Sequence, residues 1–327
     1  MTRVGINGFG RMGRLALRAG WGRSDLEFVA VNDPSASEAD FLHLLEFDSV
    51  QGRWPLASSV DLSFTQHGDP ADIDWAEYGV EVVLECSGQF RDRAIVQKHL
   101  DRGAQRVVVS APVPGDTPDI VMGVNDDAFD LAAEPIVTAA SCTTNCIAPV
   151  VRVLHDAFRI EHGFFTTIHD PTATQVVVDG AHPDLRRARA SMVNLVPTST
   201  NSAVAVTRVI PELRGRLDAI AVRVPVMNSS LVELVITTEK PLTVELVNHA
   251  LLTASESPRL AGILGYETRP LVSSDFLGDA RSGIVDAVST RVMGEHMAHV
   301  LVWYDNEWGY ANRMIELTEK VGRAARA

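Results

Sequence analysis

"RVGINGFGRMGRLALRAG", residues 3 to 20, sets a short β-branched run, a glycine cluster and a helix-spaced apolar set in direct succession. Gly8, Gly10 and Gly13 stand in GxGxxG spacing, and Met12, Leu15, Ala16 and Ala19 recur at intervals that can lay one helix face on a sheet. Glycines between a strand and a helix permit a tight turn, let backbone N–H groups approach a pyrophosphate at the positive helix end, and allow close helix-to-strand packing. The bare spacing is a weak signal, and its context strengthens it. The next strand-like run, "EFVAVND", ends on Asp33, where a carboxylate can accept hydrogen bonds from an adenosine ribose and would repel a 2′-phosphate. NAD is therefore expected over NADP. The plainer possibility, a structural glycine turn beside an incidental capping aspartate, must account for both features falling in register.

Outward from this turn the chain alternates strand-like runs with helical stretches: "VEVVLECSG", "RVVVSAP", "IVMGVN" and "PIVTAAS". The alternation predicts a parallel α/β sheet. After about residue 160 longer runs appear, "HGFFTTIHD", "DAIAVRVPV", "SLVELVITTEK" and "AHVLVWYD", which suit a mostly antiparallel sheet. The fold class is thus α/β: an N-terminal doubly wound parallel sheet of Rossmann type, then an α+β domain. The closing "NRMIELTEKVGRAARA" reads as a helix, apolar at Met314, Leu317 and Val321.

Two domains also fit 327 residues at about one domain per ~150. A net charge of −13 argues against nucleic acid as a main partner, so an anionic substrate would need local arginines. No run approaches the ~18 apolar residues of a membrane span and the start lacks a signal-like core, so a cytoplasmic protein is expected. Cys86, Cys142 and Cys146 are the three cysteines, too few for a disulfide framework and without the partners of a zinc site. No metal is expected.

Cys142 and Cys146 lie in "ASCTTNCIAPVV", residues 140 to 151, where a strand-like run gives way to a predicted helix with Pro149 as a local blemish. Cys142 falls near the helix N-terminus, where unpaired N–H groups and the macrodipole favour a thiolate. Cys146 sits one turn deeper among apolar neighbours and reads as core filling.

"SCTTNC" at 141 to 146 and "WYDNEWGYANR" at 303 to 313 closely resemble two diagnostic segments of the glyceraldehyde-3-phosphate dehydrogenase family, and the resemblance runs over essentially the whole chain. It implies an NAD-binding Rossmann domain at 1 to 141, a catalytic domain at 142 to 305, a terminal helix at 306 to 327 that returns to the first domain, and a homotetramer. It further implies Cys142 as nucleophile with His169, in "TTIHDPTATQ", as its base. Gly8, Gly10, Arg11, Met12, Gly13, Asp33, Ser110, Asn306 and Tyr310 would hold NAD, with Asn306 on the nicotinamide carboxamide. Thr172 and Arg223 would bind the phosphate of glyceraldehyde 3-phosphate, with Ser141, Thr143, Arg187, Thr200 and Asn201 around inorganic phosphate. Residues 176 to 195, "VVVDGAHPDLRRARASMVNL", would form a loop beside a neighbouring subunit's cofactor.

On the residues alone, an imidazole near its ordinary pKa can raise thiolate content and move the proton of an oxidised alcohol. Arg223 interrupts an apolar strand, where an unpaired charge is costly, and a ligand pocket would explain it. The arginines of "DLRRARA" read equally as a solvated basic patch, and Trp303 and Trp308 as structural aromatics. The pattern also departs from the family. Asp170 and Pro171 flank the histidine where a small and a larger residue are usual, and Asn201 replaces a glycine. With "QGRWP" and "ILGYETRPLVSSDF", these features resemble an arsenic-resistance branch that uses arsenate as acyl acceptor, giving 1-arseno-3-phosphoglycerate. Erythrose-4-phosphate dehydrogenase, a sister activity, and a non-catalytic NAD-binding protein are two further readings of the same pattern.

Overall fold

The computed structural model describes residues 1 to 326, in two compact units. Met1–Ser141 and Ala311–Ala327 make the first and Cys142–Tyr310 the second.

The first unit holds β1 (Thr2–Asn7), α1 (Arg11–Gly20), β2 (Leu26–Asn32), α2 (Glu38–Glu46), β3 (Ser63–Thr65), β4 (Val82–Glu85), α3 (Arg93–Asp101), β5 (Arg106–Val109) and β6 (Ile136–Thr138). Its six strands run in the order β3-β2-β1-β4-β5-β6 and every neighbouring pair is parallel. β1 lies inside the sheet with Val4 and Ile6 fully buried on one face, while Gly5 on the other gives way to Trp75, which a Cβ there would meet at 2.6 Å. The strand order reverses there, β2 lying to one side and β4 to the other. In open parallel sheets the carboxyl ends of strands at such a reversal form the ligand crevice. The glycine turn sits at that end of β1.

One expected strand is absent. "IVMGVN" is a turn, since Asn125 Oδ1 accepts from Val121 N at 2.8 Å and its Nδ2 donates to the carbonyl of Asp119. Those bonds close the backbone on itself and leave one isolated bridge, Asp119 to Thr138. The edge strand β3 has only three residues, too few for a period to show.

The second unit contains α4 (Cys142–Phe158), β7 (Ile160–His169), β8 (Val196–Thr198), α5 (Ser202–Val209), β9 (Leu217–Arg223), β10 (Ser230–Thr238), α6 (Val244–Ser255), β11 (Leu264–Glu267), β12 (Gly283–Met293) and β13 (Met297–Tyr304). Its sheet order is β11-β12-β13-β10-β7-β9-β8. The pairs are antiparallel except β7 with β9 and β11 with β12. β10 buries Ser230, Val232, Leu234, Ile236 and Thr238 in strict alternation, the period of a strand with one face on a core. α4 packs on this sheet and buries most of its length. Gly283 of β12 permits the approach, because a Cβ there would stand 2.7 Å from the carbonyl oxygen of Cys146.

The terminal helix, α7 (Trp308–Ala324), begins two residues later than the resemblance implies, because the Asp305 carboxylate accepts from Glu307 N and Trp308 N and so caps its first turn. From Ala311 on it belongs to the first unit, where Met314, Leu317 and Val321 are buried. Gly322 passes so close to Thr2 that a Cβ would meet its hydroxyl at 2.2 Å. Among the described residues no helix is long and apolar enough to cross a membrane.

Candidate active site

In the first unit each glycine of the turn has its own reason. Gly8 takes φ +90° and a Cβ there would lie 2.3 Å from Ser87 N. A Cβ on Gly13 would lie 2.1 Å from the carbonyl oxygen of Gly8. Gly10 differs, with nothing within 4 Å of its Cβ position, so its lack of a side chain leaves open space over the helix start. Gly10 is also the N-cap of α1, with no side-chain cap and no acidic residue in the first turn. The N–H groups at Arg11 and Met12 therefore open a helix whose positive end carries no anion of its own.

Asp33 closes the other side of this turn. Its Oδ2 accepts from Phe9 N at 2.7 Å, and its Oδ1 accepts from Ser35 N at 2.9 Å and Ser35 Oγ at 2.6 Å. A carboxylate offers about four acceptor positions, so roughly one remains for a ribose hydroxyl. Asp33 is thus the brace of the glycine turn as well as a candidate ligand group. Arg11 pairs with Asp48 at 2.6 Å, so its backbone rather than its charge suits an anion. Ser110 donates its backbone N–H to the Glu85 carbonyl at the end of β5. An open glycine, an uncapped helix start and a buried acceptor fit a dinucleotide.

In the second unit α4 opens with Cys142. Two residues earlier Ala140 adopts φ 54°, a left-handed conformation that is costly for a residue with a Cβ. Nothing in the sequence signals it. β7 delivers His169 at its last residue, with Nε2 3.6 Å from Cys142 Sγ. Burial opposes the Cys142 thiolate, but the hydrogen bond and charge of His169 outweigh it, with help from Arg223, and the thiol is lowered from its ordinary value. Burial likewise opposes the imidazolium. Asp170 and Cys142 overcome it and raise His169 to about 9. Each group thus favours the charged form of the other, thiolate on Cys142 and imidazolium on His169. Cys146 and Cys86 have no such partner for charge, and burial pushes both thiols up.

Arg223, the last residue of β9, pairs in register with His169. Its Nη1 lies 2.8 Å from His169 Nδ1 and donates to the Asp170 carbonyl at 2.9 Å, while its buried Nε lacks a partner. Arg187 donates to Thr198 Oγ1 at 2.8 Å and to the Ser199 carbonyl, and its positive charge is felt at Arg223. Guanidinium forks of this kind suit an anion. The solvated-patch reading of "DLRRARA" suits Arg186 and Arg189 better than Arg187, which is half-buried against β8.

The remaining polar residues divide. Thr172 is exposed and faces Thr174 at 3.0 Å between hydroxyls. Thr200 Oγ1 accepts from Ser202 N, the first residue of α5, whose N-cap is Asn201. Asn201 has φ −94°, so the left-handed backbone that would call for glycine is not adopted. Ser141 is half-buried ahead of α4. Thr143 is buried, and its hydroxyl is 3.0 Å from Tyr304 Oη, leaving its backbone N–H in the first helical turn. Asn306 and Tyr310 are buried. Trp303 donates to Asp286 and stacks on Phe276, a structural role, and Trp308 N is captured by Asp305.

Two residues of the cluster went unread in the sequence. Tyr304 presents its ring edge-on to His169 at 5.9 Å, with its hydroxyl held by Thr143 and Thr167. Ser230 contacts both Asp170 and Asn306. Tyr304 closes the alternating strand "HVLVWY", so its inward phase was available as a signal. Ser230 carried none.

A Rossmann unit with an open anion cradle, joined in one chain to a unit carrying a cysteine–histidine pair, defines an NAD-dependent oxidoreductase. Residues 2–93 match the family model for the glyceraldehyde 3-phosphate dehydrogenase NAD binding domain, and residues 141–306 match that for its C-terminal domain. Similar proteins include glyceraldehyde-3-phosphate dehydrogenase 3 of Nostoc sp., 53% identical, and the glyceraldehyde-3-phosphate dehydrogenase of Priestia megaterium, 46% identical, each match covering 98% of both chains. Glyceraldehyde-3-phosphate dehydrogenase 1 of Bacillus subtilis is 46% identical over the same shares. The chain belongs to the glyceraldehyde-3-phosphate dehydrogenase family.

Proposed function

We propose that this protein oxidises glyceraldehyde 3-phosphate with NAD through a thioester on Cys142 and passes the acyl group to inorganic phosphate. The observation that carries this reading is the Cys142–His169 contact of 3.6 Å at the head of α4. The Cys142 thiolate adds to the aldehyde carbon, forming the C–S bond of a hemithioacetal whose oxyanion takes a proton from His169 Nε2. The backbone of Gly8, Gly10, Arg11, Met12 and Gly13, with Asp33, would hold NAD, which would supply the hydride acceptor when bound. Ser110, Asn306 and Tyr310 complete the cofactor's residues.

His169 takes back the hydroxyl proton as the carbonyl re-forms and Cys142 is left as a thioester. An oxygen of inorganic phosphate adds to the thioester carbon, the C–S bond breaks, 1,3-bisphosphoglycerate leaves and the thiolate returns. Thr172 and Arg223 hold the substrate phosphate in this reading. Ser141, Thr143, Arg187, Thr200 and Asn201 receive the inorganic anion. Val177, Val178, Leu185, Val193 and Leu195 are each at least 70% exposed on the 176 to 195 loop, which supports a homotetramer that would cover them.

The test is NADH formation with glyceraldehyde 3-phosphate and either phosphate or arsenate. Phosphate-dependent NADH with stable 1,3-bisphosphoglycerate is expected. A specificity constant favouring arsenate would move the protein to the arsenate-using reading. NADH formed from erythrose 4-phosphate in preference would assign that substrate, and NAD binding without turnover would leave a non-catalytic protein.

A further inference from the structure

His169 is faced by side chains from three elements and by its own neighbour. Cys142 of α4 faces Nε2 at 3.6 Å, Arg223 of β9 lies 2.8 Å from Nδ1, and Tyr304 of β13 meets the ring edge-on. Asp170 brings a carboxylate Oδ1 to 2.6 Å from the same Nδ1. One nitrogen cannot donate to Asp170 and accept from Arg223 at once. A bare Nδ1 would set its lone pair against a carboxylate oxygen at 2.6 Å. A protonated Nδ1 pairs with that oxygen and also reaches the Asp170 carbonyl at 2.9 Å, which accepts from Arg223 Nη1 at 2.9 Å as well.

Burial decides the same way. The Asp170 side chain is about 5% exposed, and a buried carboxylate without a counter-charge is expensive. Ser230 braces it from behind, with Oγ 3.2 Å from Asp170 Oδ1, 3.3 Å from Asp170 N and 2.9 Å from Asn306 Oδ1. The carboxylate is therefore fixed on the side away from the thiol and points at Nδ1.

We propose that Asp170 is a positioning residue that converts the Cys142–His169 pair into a triad. Its carboxylate keeps the proton on Nδ1, turns Nε2 to the thiol, and stabilises the imidazolium on which the thiolate depends. This rests on the reading of Cys142 as nucleophile and His169 as its base. The sign of the pH effect follows: Asp170 favours charged His169, which favours charged Cys142, so losing the carboxylate must raise the pH at which the thiolate appears.

The test is the rate of Cys142 alkylation by iodoacetamide against pH, with steady-state kinetics, in the full-length protein and in Asp170→Asn and Asp170→Ala. Asparagine keeps shape and an acceptor but removes the charge. For Asp170→Asn the alkylation midpoint should rise by roughly 1 pH unit or more, and kcat should fall at least tenfold with both KM values within about twofold. A merely structural role would not move the midpoint. An unchanged midpoint and kcat in a folded Asp170→Asn protein overturns the proposal. Should that variant not fold, nitrogen-15 spectra of histidine-labelled wild type decide, with His169 assigned through His169→Gln. A protonated Nδ1 above the ordinary imidazole range is expected, and a bare one overturns the proposal. Cys142→Ala separates the two levels: if it stays active the nucleophile reading has failed, and if it is inactive while Asp170→Asn behaves as wild type only the triad has failed.

Discussion

The first turns of α1 and α4 use one physical device for opposite purposes. Both set backbone N–H groups at a positive helix end. At α1 the device is kept open: Gly10 offers no side chain and no side-chain cap, and the first turn has no acid, which suits a ligand anion. At α4 the chain places its own side chain, since Cys142 occupies the helix start and, against the cost of burial, is lowered by His169. The difference teaches where information resides. An open cradle is made by what a short stretch lacks, and it can be read locally. A filled one depends on side chains brought from elsewhere, His169 from 27 positions away.

The comparison breaks most sharply at Cys142. Cys142→Ala empties the filled helix end and should reduce kcat by on the order of 10⁴ or more, with NAD affinity retained by calorimetry. Turnover within tenfold of wild type would mean that α4 carries no nucleophile. Next in size is the open end. Gly13→Ala sets a Cβ 2.1 Å from a carbonyl oxygen and should cost about 3 kcal/mol in urea unfolding, with NAD binding lost. A stable variant with normal affinity would show that the turn relaxes freely.

A smaller effect sharpens the account of Asp33. Asp33→Ala removes both the brace on Phe9 N and the ribose acceptor, so the KM for NAD should rise roughly tenfold while the preference over NADP narrows. Equal use of both cofactors by the wild-type enzyme would contradict the ribose role. The least effect belongs to Cys146→Ala. Cys146 is fully buried beneath Gly283, and its loss should lower stability by about 1 kcal/mol with kcat unchanged. A fall in kcat comparable to that of Cys142→Ala would give Cys146 a chemical part.

Much of the fold was legible because its signals are local and periodic. GxGxxG between β1 and α1, the Val4–Ile6 alternation of β1 and that along β10 each report one environment. "IVMGVN" misled because its apolar residues fill a turn whose backbone is satisfied by the Asn125 side chain. At the site, Cys142 and His169 could be named through family-like segments, and Asp170 could be seen as a departure. Its distance to Nδ1 could not, nor could Ser230 behind it, because β10 and β7 meet only in the folded sheet. The backbone at Asn201 was also out of reach, since an N-cap at φ −94° looks the same in sequence as a left-handed turn.

The central claim is that one thiol of three is activated by its place at a helix end beside His169. Limited iodoacetamide at neutral pH, followed by peptide mapping with activity measured on the same samples, tests it directly. Label should appear on Cys142 well before Cys146 or Cys86, and activity should fall in proportion to it. Equal labelling of the three thiols, or full labelling of Cys142 with activity intact, would contradict the account.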